Sequence, residues 1–214
     1  MPLAPVASEI LDFWFVPRAG ESVSREPESN PGTRVTRDAW FRKDDAFDRE
    51  IRERFDAALA AGIAGAFGEW CTAPLGSLAR IVLLDQFTRN AFRGTPQAFA
   101  GDPGALATAE DAMDRGFDKL LQPQERWFLY MPFEHAESLA QQERAVACFI
   151  ALAAETGLTD PLTWAEKHRD VIRPFGRSPH RNEILASAST AEEGPLRVQS
   201  GPRFLVGFCV IYSS

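Results

Sequence analysis

Three stretches of the chain set ionisable and amide side chains among apolar neighbours. The first is Leu83-Leu84-Asp85-Gln86-Phe87-Thr88-Arg89-Asn90-Ala91-Phe92-Arg93. On a helix, Asp85, Arg89 and Arg93 share one face, and Gln86 and Asn90 form the stripe beside it. A solvent-facing helix would carry interchangeable Lys and Glu. This mixture, following the apolar residues 81–84, implies partial burial, where each polar group needs a defined partner. Two readings fit: a ligand site, or an Asp85–Arg89 pair tying neighbouring helices together.

The second stretch is Met131-Pro132-Phe133-Glu134-His135-Ala136-Glu137-Ser138, followed by Gln141 and Gln142. On one helix, Glu134, Ser138 and Gln141 share a face, Glu137 lies beside them, and His135 points elsewhere. Carboxylates near an imidazole serve as acids, bases or metal ligands. The spacing is not that of a HExxH zinc protease, so no metal site is predicted. Glu134 also suits a helix start, near its positive end. Together, Glu134 and Glu137 read as the wall of a polar pocket. The third stretch reverses the local charge: residues 166–181 hold five basic and two acidic side chains. Arg173, Arg177 and Arg181 offer planar forks for a carboxylate or phosphate. Gly176 and Pro179 shape a tight loop beside His180 and Asn182. The competing reading pairs these arginines with Glu134 and Glu137.

The composition narrows the classes. The chain has 214 residues, 45% hydrophobic and 25% charged, with a formal charge of −7. That is an ordinary globular balance. The acidic balance argues against a nucleic-acid or membrane-surface partner. No apolar run approaches the ~20 residues of a membrane span, and no basic leader precedes the first apolar stretch. The three cysteines, Cys71, Cys148 and Cys209, show no CxxC spacing. Reduced thiols in a cytoplasmic protein are expected. No phosphate-cradling glycine loop, dinucleotide fingerprint or nucleophile elbow is present, so no cofactor is predicted.

The elements that must position these residues read as helices. Ser8 is placed to cap a short helix ended by Pro17, and residues 17–37 read as an exposed loop. Residues 44–61 repeat Phe47, Ile51, Phe55 and Leu59 every fourth position, with Gly62 as a stop. Residues 74–92 form one helix, with Leu75, Leu78, Ile81, Val82 and Leu83 buried. Asp102-Pro103 opens a helix closed by Gly116. Pro132 interrupts the segment 124–130, and a helix then runs over 133–156. Asp160-Pro161 opens the last helix, ended by Pro174. The expected class is all-α, built of stacked antiparallel helical hairpins, with no legible repeat period. The domain is expected over residues 1–185, with an atypical tail over 186–214. Within that tail, residues 204–212 form a short β-prone apolar run.

Four of these motifs resemble, in order, a bacterial family catalogued as domain of unknown function 924. They stand at residues 11–15 (Leu-Asp-Phe-Trp-Phe), 84–93, 132–137 and 175–182 (Phe-Gly-Arg-Ser-Pro-His-Arg-Asn). Thr88 stands where the family often has proline, and Ser178 where it usually has an aromatic. The resemblance spans about residues 9–185. It implies a tetratricopeptide-like helical superhelix and leaves the biochemical role open.

The sequence thus predicts an internal polar pocket lined by Asp85, Gln86, Arg89, Asn90, Arg93, Glu134, His135, Glu137, Arg177, His180 and Arg181. Its expected ligand is a small anionic metabolite, clamped by arginines and oriented by carboxylates. A hydrolase-type reading makes His135 or His180 a general base, Glu134 or Glu137 its orienting carboxylate, and Arg89 an anion stabiliser. A third reading is a groove for a peptide or protein partner.

Overall fold

The first helix, α1 (Pro5–Phe15), begins at a proline whose missing N–H costs nothing in a first turn. It buries Ile10, Leu11, Phe13, Trp14 and Phe15. In the computed structural model, which describes residues 2–24, 36–188 and 190, this helix is the hydrophobic anchor of an all-α fold. Phe13 and Trp14 lie 5.6 and 5.7 Å from Phe87, and Trp14 lies 5.5 Å from Phe128. Such ring pairs add directional contacts to the area they bury.

The stretch read as an exposed loop contains a buried clamp. Val23–Ser24 (β1) pairs antiparallel with Thr36–Arg37 (β2), which places Arg37 against the end of α1. The Arg37 guanidinium, fully buried, donates to the Phe13 and Trp14 carbonyls at 2.6 Å each and forks onto Glu21 at 2.7 Å. Trp40 Nε1 donates to the same Trp14 carbonyl at 2.8 Å. The exposed end of a helix is thereby converted into a satisfied, buried one.

Helix α2 (Asp45–Ile63) is capped by Asp44, which accepts from Ala46 N and Phe47 N. Phe47, Ile51, Phe55 and Leu59 are buried as their spacing requires. The helix runs through Gly62 instead of stopping there. A Cβ at that position would meet Leu83 and Leu84 at 3.1 and 3.2 Å, so the glycine serves close packing.

The rod over 74–91 has three parts: α3 (Pro74–Ile81), a π-helical turn (Val82–Phe87) and α4 (Thr88–Ala91). The backbone stays in the right-handed helical region throughout. Leu75, expected in the core, is 40% exposed, because the α3 stripe runs through Leu78, Ala79 and Ile81. Helix α5 (Asp102–Asp114) follows, with Asp102 as its first residue and Gly101 at the cap position. It ends before Gly116, which takes the left-handed conformation expected of it.

Helix α6 (Pro123–His135) passes straight through Pro132. The chain breaks after it, at residues 136–138, and α7 (Leu139–Thr156) starts anew. Gln142 Nε2 holds the break by donating to the Glu134 and Ala136 carbonyls at 2.6 and 2.8 Å. The single helix expected over 133–156 is therefore two elements, and Glu134 sits in the last turn of α6, not in the first turn of a helix. Helix α8 (Asp160–Phe175) likewise contains Pro174 and ends at Gly176. Arg126–Glu155 (2.7 Å) and Arg173–Glu143 (3.0 Å) join opposite ends of successive helices, so α6–α7 and α7–α8 are antiparallel pairs. The apolar run at 204–212 and Cys209 lie outside the described residues.

Gly101 fastens α5 to the π turn. A Cβ there would meet the Leu84 carbonyl oxygen at 2.1 Å, so only glycine allows the approach. Overpacking commonly costs ~1–3 kcal/mol, and rigid backbone gives least. Gly101→Ala is expected to lower stability by about 2 kcal/mol or more in urea unfolding. Gly68→Ala, with open space around it, is expected to stay within about 0.5 kcal/mol of the parent. Equal stabilities of the two variants would contradict this packing.

Candidate functional site

The π turn aims Asp85 inward and turns its own carbonyls toward side-chain donors. Thr88 Oγ1 donates to the Leu84 carbonyl (2.7 Å), Arg89 to that of Asp85 (2.8 Å), and Asn90 Nδ2 to that of Gln86 (3.1 Å). The run Thr-Arg-Asn thus supports the widened turn residue by residue. Expanded turns of this kind often mark functional positions in helices.

Asp85 is the hub of a buried polar centre. His135 Nδ1 lies 2.8 and 2.9 Å from its two carboxylate oxygens, Gln86 Nε2 donates to it at 2.5 Å, and Arg89 stands 3.2 Å away. Arg89 also forks onto Asp102 at 2.8 and 3.2 Å. Arg181 reaches the same carboxylate at 3.0 Å and donates to the His135 carbonyl at 2.8 Å. Phe99 lies under both guanidiniums, 5.7 Å from Arg89 and 4.5 Å from Arg181. Glu134 lies beside His168, with Oε1 3.3 Å from Nε2, and the rings of His135 and His168 are 6.0 Å apart. The side chains of Asp85, Glu134 and His135 are at most 4% exposed, whereas Arg181, Asp102 and His168 stand 17–22% exposed. The latter three form the rim.

Electrostatics sorts these groups. Burial works against ionised Asp85, but Arg89, His135 and Gln86 outweigh it and hold its pKa low, at about 2. An ionised Asp85 accepts only, so His135 carries its proton on Nδ1. Burial and the Arg89 charge lower the His135 pKa against the pull of Asp85, which keeps the ring neutral and Nε2 bare. Burial, then the Asp85 charge, push Glu134 well above the usual carboxylate range, with Arg89 opposing. Its place at the negative end of α6 acts in the same direction. Among the described residues, no hydrogen bond reaches either carboxyl oxygen of Glu134 or Nε2 of His135.

Of the residues singled out from sequence, Asp85, Gln86, Arg89, Glu134, His135 and Arg181 come together. His135, the last residue of the helix that carries Pro132, points at Asp85. Arg93 and Asn90 belong elsewhere. Arg93 forks onto Asp48 at 2.6 and 2.9 Å and donates to Asn90 at 2.7 Å, at a surface depression of ≈ 690 Å³ shared with Lys43 and Arg52. Glu137 accepts from Ser178 N at 2.8 Å, so it fixes the last loop and does not join Glu134. Ser138 starts α7, and Gln141 reaches Glu110 at 2.8 Å. Arg177 donates to the Ala188 carbonyl, and the His180 side chain lies outside the described residues. No three metal-ligating side chains among the described residues are grouped to hold an ion. Asp102 and His168 were missed as site residues. Asp102 reads as a helix opener, and His168 as one charge among many. Only the long-range return of α5 and α8 brings them in.

A profile of the family described as bacterial protein of unknown function (DUF924) matches residues 10–197. A solved structure of a protein of unknown function from Agrobacterium tumefaciens is similar over the whole fold. It is 38% identical, with a TM-score of 0.74, and the match covers 94% of this chain and 100% of that one. No curated protein matches. No helix among the described residues is long and apolar enough to cross a membrane.

Glu134 gives the site a signature in stability. Its folded pKa lies above its unfolded value of 4.5, so its contribution is full below about pH 4.5 and is lost as pH rises toward the folded pKa. Glu134→Gln removes that loss. The variant should gain on the parent steadily in urea midpoints as pH rises from about 5 toward the folded pKa of Glu134. Parallel curves would contradict a buried neutral Glu134.

Proposed function

The chain belongs to the bacterial DUF924 family of proteins of unknown function, and on that premise we propose that its buried polar centre binds a small ligand carrying an oxyanion and a hydroxyl group. One observation carries this reading: among the described residues, no hydrogen bond reaches the buried atoms Glu134 Oε1, Glu134 Oε2 and His135 Nε2, while Asp85, Arg89 and Arg181 beside them are paired. A buried polar atom left unpaired costs about 1–3 kcal/mol, so three in one place support a ligand site.

The chemistry of the bare atoms defines that occupant. Neutral Glu134 offers one O–H donor and one acceptor, and His135 Nε2 offers a lone pair. A hydroxyl complements both, accepting from Glu134 and donating to His135. At the rim, Arg181 is the more exposed of the two guanidiniums and uses only part of its five-donor fork on Asp102 and the His135 carbonyl. It is the group to meet an oxyanion. Arg89, spent on Asp85 and Asp102, holds the site together and serves the ligand only through the field it adds.

Thermal unfolding in the presence of small hydroxy acids and sugar phosphates tests this. A ligand at 100 times its Kd adds about 2.7 kcal/mol, a shift of several degrees. The expected result is a rise in Tm with members bearing both groups, lost in Arg181→Ala. A flat response across the panel, or a shift that Arg181→Ala leaves intact, would overturn the reading.

A further inference from the structure

The Asp85–His135 pair does more than bind. We propose that His135 Nε2, held by Asp85, and the Glu134 carboxyl form a general base and general acid that hydrolyse a small oxyanion-bearing carboxylic ester, with water as the nucleophile. The inference rests on the ligand site described above and assigns it a reaction. Its geometric basis is the 2.8 and 2.9 Å contacts from Nδ1 to both Asp85 oxygens, with the opposite ring nitrogen buried and without a partner among the described residues. A carboxylate on one imidazole nitrogen fixes the tautomer and orientation that make the other nitrogen a base.

The side chains described around Asp85 and His135 are carboxyls, guanidiniums, an amide and an imidazole, none of them a hydroxyl or thiol, so water is the nucleophile. The acyl class suits a single open fork. Arg181 spends one donor on Asp102 and one on the His135 carbonyl, so the rest of its fork is left to meet the ligand's carboxylate and the oxygen on which an acyl intermediate develops charge.

The step balances. His135 Nε2 takes a proton from water as the water oxygen bonds to the carbonyl carbon, whose π pair moves to oxygen. That pair returns, the bond to the alkoxy oxygen breaks, and the leaving oxygen takes the Glu134 proton. The proton on His135 then passes to the Glu134 carboxylate. One ester and one water become one acid and one alcohol.

The groups facing the base are Asp85 and Arg89 from the π turn and α4, Asp102 from α5, Glu134 beside it on α6, His168 from α8 and Arg181 from the last loop. His135 must be neutral and Glu134 protonated, so the rate should rise with pH through the first titration and fall through the second. The profile is a bell.

The test uses the full chain and O-acetyl lactate, whose alkoxide needs a proton to leave, with lactate binding followed separately by thermal shift. The expected result is saturable release of lactate and acetate, read by proton NMR, with a bell-shaped kcat/KM. His135→Gln should lose about 100-fold or more, and Glu134→Gln should lose the alkaline limb. Should a variant fail to fold by circular dichroism, the parent's own profile decides. A bell supports the assignment, and a monotonic rise with pH overturns it. Lactate binding without turnover overturns the catalytic assignment and leaves the ligand site standing. Neither binding nor turnover overturns both. Turnover unchanged in folded His135→Gln overturns the role of His135.

Discussion

An ionised carboxylate with almost no access to water sits at the middle of this fold. Asp85 keeps its charge because Arg89, His135 and Gln86 all face it, and each of these is positioned by a different constraint. Arg89 is tied to the start of α5 through Asp102. His135 ends α6. Gln86 belongs to the same widened turn. Removing one partner of a buried pair typically costs ~3–5 kcal/mol, because the other is stranded without water. The polar centre therefore locks the relative placement of four helical elements, and the aromatic cluster around Phe87 holds α1 and α2 to the same π turn.

The widened turn reconciles these demands. A regular α-helix over 82–87 would rotate its later residues relative to the earlier ones, and the apolar face and the Asp85 face would not both find their partners. The extra residue per turn lets Leu83, Leu84 and Phe87 stay buried while Asp85 meets His135. Gly101 lets α5 lie directly on this turn, which brings Asp102 within reach of Arg89. Stability and site geometry rest on one short segment.

Much of this was legible in the sequence. The helical class followed from the fourfold spacing of Phe47, Ile51, Phe55 and Leu59. The polar run at Asp85, Gln86 and Arg89 announced its own burial, and Glu134 with His135 did the same. Element boundaries were less legible. Pro132 and Pro174 read as breaks, yet both lie inside helices. A π turn leaves no periodic signal of its own, so Asn90 and Arg93 appeared to share the site of Asp85 when the widened turn and Asp48 draw them to another surface. Arg37 looked like an ordinary loop residue, since nothing local shows that it will cap the end of α1. Partners distant in sequence, Asp102 and His168 above all, are fixed only by how the helices pack.

The polar centre turns on where a single proton resides. It requires His135 to be neutral, with the proton on Nδ1 facing Asp85 and Nε2 bare, while Asp85 remains ionised. The nitrogen-15 resonances of the His135 ring at about pH 7 report this directly, because protonated and bare ring nitrogens have well-separated shifts. The prediction is a protonated Nδ1 and an unprotonated Nε2. A proton on Nε2, or on both nitrogens, would contradict the proposed base and the pairing on which the polar centre depends.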